Sequence, residues 1–273
     1  MQEKIITIYC LCADFLRAWG VSDDPQSRMS TAEVMTVALV ASALFCGNQE
    51  RSRLCLEEMG FIPKERMLSK SRLNRRLHRI DESVWQALFA LLADMSKRAN
   101  DAQEYVVDSF PVPVCDNYRI CRCRIYRSKD YRGRISSKRR YFYGLRVHMV
   151  ITKTGQPVEF VLAPGSTADV RAFQQMALDL PEGAHVFADA AYTDYEEEDI
   201  LKDAGIHLVA ARKKNSKRPH PGWVEFICEQ TRKRVETTFS LITQQFARTI
   251  HAVTRRGFEL KVILTVLAHT ITA

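Results

Sequence analysis

Nowhere does the sequence hold a run of about 18 uncharged apolar residues, so no membrane-spanning helix is expected. The opening residues carry Glu3 and Asp14 and lack the basic-then-apolar layout of a secretory leader, which points to a cytoplasmic protein. A P-loop, G-x-G-x-x-G, G-x-S-x-G and H-E-x-x-H are all absent, which removes the usual signatures of nucleotide-driven, dinucleotide-dependent, serine-hydrolase and zinc-protease chemistry. There are no coiled-coil heptads, internal repeats or low-complexity tracts. The eight cysteines lack the spacing of a disulfide framework. Their two close pairs, Cys10/Cys12 and Cys121/Cys123, are C-x-C rather than the C-x2-C of zinc sites, so reduced thiols are expected.

What remains is a chain of 273 residues, 46% hydrophobic, able to bury a substantial core. The formal charge is +8, and its placement is uneven. Residues 119–146 hold eleven Lys or Arg against one acid, Asp130, so the rest of the chain is slightly acidic. A localised basic stretch is the electrostatic footprint of a phosphate-rich partner. A solvated charge run would have the same composition. Interleaved Tyr118, Tyr126, Tyr131, Tyr141, Phe142 and Tyr143 favour nucleic acid, because aromatic rings stack on exposed bases.

Residues 1–100 read as helices only. Apolar positions recur at helical spacing over 5–19, and Ser30 with Glu33 forms a capping box for the apolar run 34–45. Further helices are expected over 51–59, 69–80 and 82–97. The helix over 69–80 carries Lys70, Arg72, Arg75, Arg76 and Arg79, with Leu73 and Leu77 left for the core. A helix-turn-helix would present such a helix to a DNA groove, and an ordinary basic surface helix would share the spacing.

After residue 100 the period changes. Residues 105–108 form a short apolar strand ending in Asp108, and 143–152 with 156–162 read as a β-hairpin. A helix over 169–180, a strand over 184–189 ending in Asp189, and a helix capped by Thr193 with Glu196 follow. Then come a strand over 207–211 and a long helix over 224–246. The apolar stretch 260–271 is expected to cover the sheet or to serve as a dimer surface. This order predicts an α/β domain, a mixed sheet flanked by helices, over 101–273 with a basic insertion at 115–141, preceded by an all-helical DNA-binding domain over 1–100.

In open α/β sheets, sites are built at the carboxyl ends of strands, where Asp108 and Asp189 fall. Either alone could be a turn former or a helix cap. A third acid, Glu236, lies one residue from the apolar face marked by Val235, Phe239, Ile242 and Phe246, where a charge needs a partner. Arg232, one turn earlier, would supply an ordinary ion pair. Three carboxylates also suit Mg2+, with Mn2+ as a substitute, and a pair of such ions performs phosphoryl transfer without a side-chain nucleophile.

The stretches Asp108-Ser-Phe-Pro-Val-Pro-Val-Cys115, Ser136-Ser-Lys-Arg-Arg-Tyr-Phe-Tyr-Gly144, Ala188-Asp-Ala-Ala-Tyr192 and Ser69-Lys-Ser-Arg-Leu-Asn-Arg-Arg-Leu-His78 together resemble the IS982 family of bacterial insertion-sequence transposases. The resemblance runs from about residue 30 to the C-terminus. It implies an RNase H-like catalytic domain with a DDE triad at Asp108, Asp189 and Glu236, binding Mg2+. The gaps within that triad are 81 and 47 residues. In a related signature around the Glu, Arg232 fits the Arg position, while Glu229 and Thr243 replace the usual Tyr and Lys. DNA contacts are expected from Lys70, Arg72, Arg75, Arg76, Arg119, Arg122, Arg124, Lys138, Arg139, Arg140 and Arg232. The implied partners are terminal inverted repeats and target DNA, with a homodimer on DNA in the bacterial nucleoid. A structure-selective nuclease of the same fold and a DNA-binding protein without activity are the alternatives. Strand-transfer products separate the first from both.

Overall fold

The structure, a computed structural model, describes residues 1–135, 139–247 and 249–272; the side chains of Arg232 and Arg234 also fall outside it. Two compact units form, Met1–Ala90 with Ile242–Ala273, and Leu91–Leu241. The units do not follow the division expected at residue 100.

In the helical unit, α1 (Gln2–Ala18), α3 (Gln49–Glu58), α4 (Lys70–Arg79) and α9 (Arg255–Thr272) all pack on α2 (Thr31–Leu44). The expected capping box starts α2: the Ser30 N–H donates to Glu33 Oε2 at 2.7 Å, and the Glu33 N–H donates to Ser30 Oγ at 3.1 Å. Residues 32–42 of α2 are buried on every side. That all-round burial explains where 260–271 goes. The stretch was expected to cover the sheet or face a partner, but α9 packs on α2, where an apolar groove is already open to it. The α3–α4 connection, residues 59–69, is longer than the turn of about 3–4 residues that defines a helix-turn-helix. The division between the units falls within α5 (Glu82–Arg98) and α8 (Gly222–Gln245).

The second unit carries a six-stranded mixed sheet. Its strands are β1 (Glu104–Cys115), β2 (Arg132–Ile135), β3 (Arg140–Thr152), β4 (Pro157–Pro164), β5 (His185–Ala188) and β6 (His207–Ala210). The order is β2-β3-β1-β5-β6, with β4 also paired to β3. β3 pairs antiparallel with both β1 and β4, whereas β5 and β6 extend β1 in parallel. Two helices, α6 (Asp169–Phe173) and α7 (Tyr195–Asp203), belong to the connections.

Three local expectations are corrected. β1 does not stop at Asp108; it continues for seven more residues, because the long β3 pairs with it as far as Cys115. Pro111 and Pro113 are tolerated there since β5 pairs only with Glu104 to Val106, so their missing N–H groups cost no bond on that side. α6 ends at Phe173 instead of near 180, and the chain beyond is pinned by Lys97 Nζ, which donates to both the carbonyl and the carboxylate of Asp179 at 2.8 Å. Asp194, not Thr193, caps α7, its carboxylate accepting from the Glu196 and Glu197 N–H groups.

The basic insertion is partly sheet. Two 3-10 turns, Asn117–Arg122 and Lys129–Tyr131, lead into β2, which forms a ladder with β3 from Arg132↔Tyr143 to Ile135↔Arg140. Gly133 is required in that ladder: a Cβ there would lie 2.3 Å from the Phe142 ring. Among the described residues no single helix is long and apolar enough to cross a membrane.

Candidate active site and nucleic-acid surfaces

The parallel ladder between β1 and β5 pairs Glu104 with His185, Tyr105 with Val186 and Val106 with Phe187. Its offset is 81 residues, the same as the gap between Asp108 and Asp189. Continued two steps, the register sets the two aspartates level at the point where the parallel strands part. Both are half-buried. Asp108 Oδ1 accepts from the Ser109 N–H at 2.7 Å, and Asp189 Oδ1 accepts from the Ala191 N–H at 2.6 Å, capping the 3-10 turn Ala190–Tyr192. Each carboxylate therefore accepts from a backbone amide within two residues of it, Asp108 in β1 and Asp189 at the start of its turn.

Strand alternation puts Asp108 and Phe110 on one face of β1, with Ser109 on the other. The first face meets α8. Phe239 packs edge-on against Phe110 with ring centroids 5.1 Å apart, and nearer its start the helix reaches β6, where Cys228 Sγ contacts the Val209 carbonyl at 3.7 Å. Glu236 lies between these anchors on a helix that crosses from β6 towards β1. Its own side chain is exposed, so the core-edge position expected for it is corrected: Val235 and Phe239 take the buried places. The ion pair with Arg232 falls outside the described residues. Among those described, no group of three or more His, Cys, Asp or Glu is gathered closely enough to hold a metal ion. The donor chemistry of the level aspartates, oxygen only and partly open to solvent, fits a hard divalent cation, and Glu236 is not drawn in beside them.

The opposite face carries residues the sequence did not single out. Asp169 Oδ1 accepts from Ser109 Oγ at 3.1 Å and from Arg146 Nη1 at 3.3 Å, and His148 Nδ1 lies 3.6 Å away. His148 is fully buried and contacts the Tyr192 hydroxyl at 3.3 Å. Burial pushes the His148 imidazole down to about 4, against the opposing pull of Asp169. Burial raises the Tyr192 phenol well above its ordinary value, and the negative charges of Asp169, Asp108 and Asp189 add to the rise. Tyr192 thus senses both level aspartates and a third acid, Asp169. The one sequence cue to this cluster was a histidine at an inward position of an otherwise apolar strand.

The cations divide into free and engaged. On α4, Lys70, Arg72 and Arg75 are exposed, while Leu73 and Leu77 are buried as expected. Arg76 instead turns into its own unit, donating to Ser27 Oγ and to the Met29 carbonyl and pairing with Asp23 at 3.7 Å. Arg119, Arg122, Arg124, Arg139 and Arg140 are exposed; Lys138 lies outside the described residues. Arg122, Arg124, Arg127, Lys129 and Arg132 surround one hollow of about 780 Å3. Of the interleaved aromatics, only Tyr118 and Tyr141 are free to stack on bases, at 82% and 67% exposure. Tyr126, Tyr131 and Tyr143 pack on one another, and the Tyr143 hydroxyl donates to the Tyr126 and Ser128 carbonyls, so these rings hold the insertion in shape.

No curated protein matches the chain. A solved structure, the cryo-EM structure of the piggyBac transposase synaptic complex with hairpin DNA, is similar over 98% of this chain and 71% of that one, with a TM-score of 0.50 and 10% identity. That likeness is one of fold. The family model of the transposase DDE domain matches residues 99–271, which span the sheet, both level aspartates and α8. The chain therefore belongs to the transposase DDE domain family.

Proposed function

We propose that this transposase cleaves the ends of an insertion sequence and joins them to target DNA, using Asp108, Asp189 and Glu236 in an RNase H-like unit, as the IS982 resemblance implies. The observation that carries the reading is the common offset of 81 residues, which sets the two aspartates level when the register of β1 and β5 is continued two steps past their last pair. Mg2+, or Mn2+ in its place, would be held by Asp108 and Asp189, with Glu236 as third ligand from α8. A pair of such ions would activate the attacking oxygen and stabilise the leaving one. The chain's own part is to hold the two carboxylates level where a phosphodiester would meet them.

DNA is held by the two sets of free cations. Lys70, Arg72 and Arg75 present one face of α4 in a DNA-binding helical unit. Arg119, Arg122, Arg124, Arg139 and Arg140, with Lys138, line the insertion, where phosphate contacts position the duplex without reading its bases. Arg232, one helical turn before Glu236 in the sequence, would be a further contact. The working form is a homodimer on DNA, because joining two ends needs two sites, and it acts on DNA in the bacterial nucleoid.

The test is a strand-transfer assay with duplexes carrying the terminal inverted repeats in Mg2+ or Mn2+. Wild type is expected to yield joined products, and Asp108→Asn, Asp189→Asn and Glu236→Gln none, with duplex binding retained. Nicked products without joining would replace the transposase reading by a nuclease. Sizing the protein–DNA complex tests the dimer; one protein per duplex during complete strand transfer defeats it.

A further inference from the structure

The cluster on the Ser109 face of β1 touches both the β1 segment that carries Asp108 and the turn that carries Asp189, and the chemistry proposed above does not use it. Ser109 directly follows Asp108 in β1. Tyr192 closes the 3-10 turn that Asp189 opens. Between them stand three side chains from other elements. Asp169, the first residue of α6, accepts from Ser109 Oγ at 3.1 Å. Arg146 of β3 donates from Nη1 to Asp169 at 3.3 Å and to Ser109 Oγ at 3.4 Å, and from Nη2 to the Arg134 carbonyl at 2.8 Å. His148, opposite Ser109 in the ladder, meets the Tyr192 hydroxyl at 3.3 Å. Phe173 of α6 packs edge-on against the Tyr192 ring, with centroids 5.9 Å apart, so Asp169 and Phe173 bring one helix to both partners.

We infer that Asp169, tied to Arg146 and packed beside His148, is a positioning residue that locks the Asp189 turn to the Asp108 segment of β1 through Ser109, His148 and Tyr192. The inference rests on the metal-site reading of those aspartates. β3 holds the Asp108 segment in its ladder, whereas β1 and β5 pair only over three residues and part before the aspartates, so backbone ladder bonds alone leave the Asp189 turn free to shift against β1. The Asp169 cluster bridges that gap from behind. A buried polar cluster of this kind is held by every member at once, so removing one polar atom loosens the hold on both aspartates. Outer partners of metal-binding carboxylates typically matter about 10–100-fold in metal affinity.

The Ser109 and Ala191 amides report on the two aspartate positions directly, because Ser109 donates to Asp108 and Ala191 to Asp189. Residue-resolved hydrogen exchange would be measured on the metal-free full chain as wild type, Asp169→Asn, Tyr192→Phe, Ser109→Ala and Ser109→Thr. Tyr192→Phe removes only a hydroxyl and so keeps the test open if Asp169→Asn folds poorly. Expected is exchange about tenfold faster at both amides in the first three variants, with the amides of β3 unchanged and wild-type behaviour regained in Ser109→Thr. Mn2+ affinity, titrated on the same samples without DNA, should fall about tenfold or more in the same variants. Unchanged exchange at either amide, or loosening spread evenly through β3, overturns the lock. If wild type does not bind Mn2+, or Asp108→Asn binds it equally well, the metal reading fails, and the exchange data still decide the lock.

Discussion

In the helical unit, the buried hydroxyls of α2 turn back on their own helix: Thr36 and Ser42 donate to carbonyls one turn earlier, at 2.7 and 3.3 Å. In the sheet unit, the buried polar groups reach across elements. Asp169, Arg146, His148, Ser109 and Tyr192 come from four stretches of chain, and Arg212 of the loop after β6 grips Glu198 of α7 with two bonds of 2.6 Å. Local satisfaction costs little and specifies little. Long-range satisfaction is expensive to desolvate and orients whole elements, which is what a site assembled from separate strands requires. Each unit also buries one histidine, and burial pushes both imidazoles down to about 4. His148 has named polar partners for that state, whereas for His269 burial is the whole cause.

The contrast can be broken by substitution. The Arg212–Glu198 pair, 4% and 10% exposed, should be the most sensitive point: Glu198→Gln leaves a buried guanidinium without its charge partner and should cost about 3–5 kcal/mol in urea unfolding. A loss below about 1 kcal/mol would mean that long-range polar contacts here are no dearer than local ones. Leu39→Ala, at a fully buried position of α2, should cost about 2–5 kcal/mol through the cavity it opens.

Acid should weaken both units. A folded imidazole at about 4 against about 6.5 unfolded means that the unfolded chain takes the proton first. The stability is therefore complete above pH 6.5 and is lost as pH falls towards 4, by up to about 3 kcal/mol per histidine. His269→Leu should flatten that slope for the helical unit and leave the sheet unit's slope in place; equal flattening of both would show that the two do not melt independently. Ser30→Ala should cost about 1 kcal/mol through the lost cap of α2. Smallest of all, Asp14→Ala should change stability by less than about 0.5 kcal/mol, since its pair with Arg17 is almost wholly in solvent.

Local features were readable before the fold. The α2 capping box, the buried Leu73 and Leu77 of α4 and the run of strands and helices after residue 100 follow from spacing that a few consecutive residues contain. So did the candidate aspartates, as acids placed after apolar strands. The extension of β1 through two prolines was hidden, because only the unpaired flank beyond Val106 makes those prolines harmless. The Asp169 cluster was hidden for a related reason: Ser109, Arg146, His148 and Tyr192 are unremarkable one at a time, and no spacing rule links them.

By itself the sequence determined the helical and sheet regions, the acids singled out as candidates and the strong basic bias of 119–146, because periodicity, residue chemistry and charge are properties of the chain alone. Tertiary structure decided how those groups are arranged. The β1–β5 register has the same offset of 81 residues as the gap between Asp108 and Asp189. Packing sent residues 260–271 to α2 rather than to the sheet, turned Arg76 inward and sealed Tyr126 and Tyr143 in the insertion, since an apolar stripe or a cation carries no record of which partner will lie opposite it once the chain has folded.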